Sequence, residues 1–85
     1  MTAPDNPTRA RIEVLVEPFR ENDPGPHVTA AIEAIGAAGM APDMGPFATT
    51  ADGDLDQAID AISSLVRAGF LYGADAIQIR IERTD

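Results

Sequence analysis

Cysteine is absent from the chain. That removes disulfides, thiolate zinc sites and thiol nucleophiles together, and it leaves the redox compartment open. Lysine is absent too: all six basic residues are arginine, so there is no P-loop lysine and no Schiff-base lysine. The single histidine, His27, excludes a multi-histidine metal cluster within one chain. No apolar run approaches the roughly 20 residues that span a bilayer. Met1 to Thr8 has neither the basic nor the apolar region of a signal peptide. The expectation is a cytoplasmic protein with no membrane partner. Positive charge is scarce: 14 acidic residues against 6 basic ones give a net charge of −8. Without a basic stripe to hold phosphates, no nucleic-acid partner is expected. The same field favours cationic small ligands.

What remains is 85 residues, 45% hydrophobic and 24% charged, the composition of one small globular domain. Met1 to Thr8 holds Pro4 and Pro7 among small polar residues and reads as a flexible tail before a domain running from Arg9 to Asp85. Arg9 to Phe19 alternates, with Ile12, Val14 and Val16 on one face and Arg11, Glu13 and Glu17 on the other. Leu15 falls on the polar face, which suggests that something covers part of it. Pro18 cannot donate to a ladder and marks the strand end. The turn chemistry of Arg20 to Pro26 leads into a helix from about His27 to Ala38, with Pro26 at its first position and Gly39 as the left-handed stop. Val28, Ala31, Ile32 and Ile35 line its apolar face. Gly36 and the many alanines suggest close packing there.

Met40 to Thr50 reads as two short strands broken at Gly45-Pro46, and Asp52-Gly53 as a turn. Asp54 and Gln57 have the spacing of a helix cap. The helix expected from Leu55 to Phe70 carries a stripe of Leu55, Ala58, Ile59, Ile62, Leu65, Val66 and Phe70, and stops at Gly73. Asp75 to Arg83 alternates again, with Ile77, Ile79 and Ile81 facing one way and Gln78, Arg80 and Glu82 the other. The order strand, helix, strand, strand, helix, strand predicts an α+β ferredoxin-like sandwich: a four-stranded antiparallel sheet with two helices on one face. In the spatial order 4-1-3-2 the first and last strands are neighbours. Arg11, Glu13 and Glu17 then lie near Gln78, Arg80 and Glu82. This open face is either solvated or a surface for association.

No catalytic set is apparent. His27 sits at a helix start with no carboxylate at a spacing that would orient it. Ser63 and Ser64 lie inside a helix without a base. Asp52, Asp54 and Asp56 alternate as in a calcium loop but lack the glutamate at its twelfth position, so no metal is expected. Thr49 and Thr50 precede a helix start, where hydroxyls can bond a heteroaromatic ligand. Topology sends Glu17, Phe19, His27, Pro46 and Phe47 to one end of the sheet and Thr50, Asp52 and Asp54 to the other.

The stretch Pro46-Phe47-Ala48-Thr49-Thr50-Ala51-Asp52-Gly53-Asp54-Leu55-Asp56 resembles the P-x-G-T-x-x-x-G-(D)-x-(D) segment of the small thiamine-binding protein family. Val16-Glu17-Pro18-Phe19 is similar to that family's first strand ending, and Ala68 to Ala74 is similar to its A-x-x-x-G-A passage into the last strand. The likeness covers about Arg9 to Arg83. Ala48 departs from the family's usual glycine, and Glu17-Pro18-Phe19-Arg20 lacks the Gly-Thr pair that often follows the proline. The resemblance implies a ferredoxin-like fold, assembly into dimers or tetramers, and non-catalytic binding of thiamine or hydroxymethylpyrimidine as a carrier, reservoir or sensor, with no cofactor required. On this reading Phe19 or Phe47 supplies an aromatic wall, Thr49 (with Thr50 beside it) a hydroxyl, and Glu17 or Asp52 the negative charge. Thr49 and Phe47 are expected to share a face. The rivals are a regulatory or structural homo-oligomer with no small ligand, and a small dimeric enzyme using His27 as base.

Overall fold

The computed structural model describes residues 8–20 and 23–85. The part of the tail before Thr8 and two positions of the turn after Arg20 lie outside the described residues. Strand β1 (Arg9–Glu17) buries Ala10, Ile12, Val14 and Val16 and turns Arg9, Arg11, Glu13, Leu15 and Glu17 to the other side. It ends at a cis Glu17-Pro18 bond. Helix α1 (Pro26–Ala37) starts with Pro26, whose missing N–H is no loss in a first turn. It stops at Gly39, which has φ +91°. Strand β2 (Asp43–Met44) is a two-residue rung beside β3 (Thr49–Asp54). Helix α2 (Leu55–Leu71) is followed by Gly73 at φ +109°, and β4 (Ala76–Arg83) closes the fold.

The strands order as β2-β3-β1-β4, with every pair antiparallel. This is the ferredoxin-like arrangement expected from the element order. Register brings Arg11 opposite Glu82, Glu13 opposite Arg80 and Leu15 opposite Gln78. The core lies between one sheet face and the two helices. Ile12, Ile35 and Leu65 are its largest fully buried side chains.

Three local expectations give way to tertiary structure. Asp52-Gly53 is not a turn: β3 runs through it, because Asp52 pairs with Arg11 and Gly53 with Ala10. The glycine is there for space. A Cβ at Gly53 would stand 2.7 Å from Gln57 Oε1 and 3.2 Å from Met40 Cε. In α2 the buried line is Ala58, Ala61, Leu65 and Gly69, while Leu55, Ile59 and Phe70 are exposed. Small residues let the helix approach the sheet closely, and a Cβ at Gly69 would meet Ile77 Cδ1 at 2.8 Å. Gly36, by contrast, faces open space. Met40, which carries no periodic signal, is buried with its side chain beside Gly53 of β3.

The junction of β3 and α2 is tightly bonded. The Gln57 backbone N–H donates to Asp54 Oδ1 at 2.8 Å, and the Asp54 N–H donates to Gln57 Oε1 at 3.0 Å. Two N–H groups at the helix start are thereby satisfied. Thr8, assigned to the tail by its sequence, is tied in: its carbonyl accepts from the Leu55 N–H at 2.8 Å.

Candidate functional site

The uncovered face of the sheet is built by the alternate residues of three strands. From β1 come Arg11, Glu13, Leu15 and Glu17; from β3, Thr50 and Asp52; from β4, Gln78, Arg80 and Glu82. Arg11 Nε donates to Asp52 Oδ1 at 2.9 Å, with Nη2 reaching Oδ2 at 3.4 Å. The hydrogen bond, then the charge of Asp52, raises the Arg11 pKa further. Arg80 Nη2 donates to Glu82 Oε2 at 3.2 Å. Glu13, between the two arginines, makes no ion pair among the described residues.

At the end of the sheet where β1 stops, the β2–β3 connection closes tightly: the Gly45 N–H donates to the Ala48 carbonyl at 2.9 Å. The turn holds Phe47 outside the core, 80% exposed, beside the open face. Its ring, Leu15, Ala48, Glu13, Gln78 and Arg80 border a cleft of about 280 Å³, with Ile79 also at its wall. The cleft therefore offers an aromatic and aliphatic wall, a carboxylate, a carboxamide and a guanidinium. That set suits a flat heteroaromatic ring with a positive charge.

The structure separates the residues expected to act together. Phe47 lines the cleft. Glu17 and Thr50 share the open face but lie beyond the cleft, on either side of it. Thr49 opposes Val14 and points into the core, 7% exposed. It does not share a face with Phe47, because Phe47 precedes the strand and strand alternation does not extend back through the turn. Phe19 packs, partly buried, against the core. Asp52 is engaged by Arg11. Glu13, Leu15, Ala48, Gln78, Ile79 and Arg80 line the cleft and were not chosen as site residues from the sequence. Their signals were present: Leu15 is the apolar exception on a polar face, and the 4-1 strand adjacency puts Glu13 on the same face as Gln78 and Arg80.

His27 has a different role from a free base. Its Nε2–H donates to the Pro18 carbonyl at 2.6 Å, linking the α1 start to the end of β1. No carboxylate forms an ion pair with it among the described residues. Among the same residues, no group of three or more acidic or histidine side chains could hold a metal ion. No helix there is long and apolar enough to cross a membrane.

A family model described as "Thiamine-binding protein" matches residues 12–85. No curated protein matches the sequence. Solved structures share the fold. A Thermotoga maritima protein named for a suggested part in thiamine biosynthesis or salvage superposes with a TM-score of 0.65 at 23% identity, over 91% of this chain and 83% of that one. A domain of unknown function from Bacillus cereus gives 0.63 at 19% identity, over 93% and 77%. A Streptococcus pneumoniae protein gives 0.56 at 18% identity, over 91% and 86%.

Proposed function

The chain belongs to the thiamine-binding protein family, and from that premise we propose that it binds thiamine or a related aminopyrimidine in the open-face cleft, without turning it over. The observation that carries this reading is Phe47. A phenylalanine 80% exposed contributes little to folding, yet it stands against a cleft lined by Glu13 and Gln78. An aromatic face takes a heteroaromatic ring by stacking and a cation by its quadrupole. Gln78 can both donate to and accept from an aminopyrimidine edge. Neither a nucleophile paired with a base nor a metal cluster stands beside the ring among the described residues. We read its role as carriage, storage or sensing.

Calorimetric titration with thiamine tests the proposal. Wild type should bind, and Phe47→Ala should lose about 0.5–1.5 kcal/mol of affinity or more while keeping its unfolding midpoint. Thr49→Val should leave binding unchanged, since the Thr49 hydroxyl lies behind the sheet. Absence of binding by wild type at millimolar thiamine overturns the function.

A second reading rests on Leu15, a half-buried leucine on an otherwise polar sheet face, and on β4, an edge strand of 8 residues that pairs with β1 on one flank only. Both suit self-association into a dimer or tetramer, with or without a ligand. Light scattering should then give a mass above the 8.9 kDa of one chain, and a monomer at micromolar concentration would remove this reading.

A further inference from the structure

We infer that Glu13 makes the open-face cleft selective for the unphosphorylated cation over its phosphate esters; this rests on the thiamine reading above. Register places Glu13 at the middle of the face, opposite Arg80 on one side and Thr50 on the other. Arg80 is the guanidinium positioned to neutralise it, but Arg80 is turned to Glu82, at 3.2 Å. The next arginine along β1, Arg11, is held by Asp52 through two contacts. The two arginines nearest Glu13 are thus matched by carboxylates other than Glu13. Glu17, on the same face toward the end of β1, adds negative charge and has no ion-pair partner among the described residues.

The cleft therefore carries an uncompensated carboxylate beside an exposed aromatic ring, in a chain whose net charge is −8. A thiazolium ring against Phe47 gains from the ring quadrupole and from Glu13. A phosphate ester brings two or so negative charges to the same place. Of the cleft residues only Arg80 could receive it, and Glu82 already offsets part of its charge. Glu13 is exposed, so its effect is limited by water: about two- to fivefold in affinity for a single solvent-screened pair. Repulsion of the ester adds to this, and the combined preference should fall as salt rises.

The test uses three probes on the full chain: thiamine, thiamine monophosphate and neutral hydroxymethylpyrimidine. Each is titrated at low and high salt against wild type and Glu13→Gln. The variant keeps side-chain volume at an exposed position, and its unfolding midpoint is checked in parallel. Wild type should bind thiamine more tightly than the monophosphate. Glu13→Gln should weaken thiamine about two- to fivefold, leave the neutral pyrimidine unchanged and narrow the gap to the monophosphate. Wild type preferring the monophosphate would make Arg80 the determinant and overturn the inference. So would an unchanged ratio of thiamine to neutral pyrimidine in Glu13→Gln, and in both cases thiamine-type binding itself would stand. Failure of all three probes to bind wild type overturns the thiamine reading and this inference together.

Discussion

One strand, β1, presents two chemistries to the two sides of the sheet. Ala10, Ile12, Val14 and Val16 point toward the helices and are nearly inaccessible to water. Arg11, Glu13, Leu15 and Glu17, interleaved with them, point to the open side. On the closed side the constraint is volume: alanines and glycines set how near α2 comes, and a single added methyl at Gly53 collides with Gln57 and Met40. On the open side volume is unconstrained, and the pattern that counts is charge. Arg11 and Arg80 are matched by Asp52 and Glu82, while Glu13 and Glu17 make no ion pair among the described residues. Packed surface stabilises by its whole area, whereas exposed ion pairs contribute little. The closed side therefore holds the fold, and the open side is free to vary its charges for recognition.

Substitutions can break that division or sharpen it. The largest effect belongs to the closed side: Leu65→Ala should cost about 2–5 kcal/mol by chemical denaturation, because Leu65 is fully buried. Gly53→Ala should cost about 1–3 kcal/mol through overpacking, with the loss visible as a lower midpoint and weaker protection of the α2 start. Asp54→Ala removes the side-chain acceptor for the Gln57 N–H and should cost about 1 kcal/mol. Across the sheet, Phe47→Ala should move stability by no more than about 0.5 kcal/mol while thiamine affinity falls. A large loss of stability there would mean that the two sides are not separate in function. Arg11→Ala should shift the midpoint least of all, and added salt should erase the small shift.

How much of this could be read from the sequence depended on the range of the interactions. Pro26, Gly39, Gly73 and the Asp54–Gln57 pair act within a turn or two of chain, and each performs its expected role in the structure. The alternation in β1 and β4 is equally local, and once the strand order was inferred it put Glu13 on one face with Gln78, Arg80 and Glu82, though the register of Glu13 with Arg80 is seen only in the structure. Asp52-Gly53 failed as a turn because pairing with β1 outweighs local preference. The stripe of α2 was right in part: Ala58, Ile62, Leu65 and Val66 face the core, but Leu55, Ile59 and Phe70 do not, and the small residues Ala61 and Gly69 complete the buried line where helix and sheet approach most closely. The cleft was half visible. The open-face residues could be read from alternation, but the position of Phe47 depends on the path of residues 45–48, which period-2 reasoning does not reach. Thr49, the residue favoured by motif, turned out to face the core.

Strand order has a consequence for the making of the protein. β1 is central, and its partner β4 arrives far later in the chain: Val14 pairs with Ile79, about 65 residues on. At a synthesis rate of ~5–20 residues per second, β1 waits on the order of 3–13 s for that partner. Throughout the interval Ile12, Val14 and Val16 belong to a strand with an unfilled flank, the condition under which nascent chains pair with the wrong neighbour. The charged and polar residues alternating with them, Arg11, Glu13 and Glu17, interrupt any continuous apolar run and so guard the growing chain before they shape a surface on the finished one.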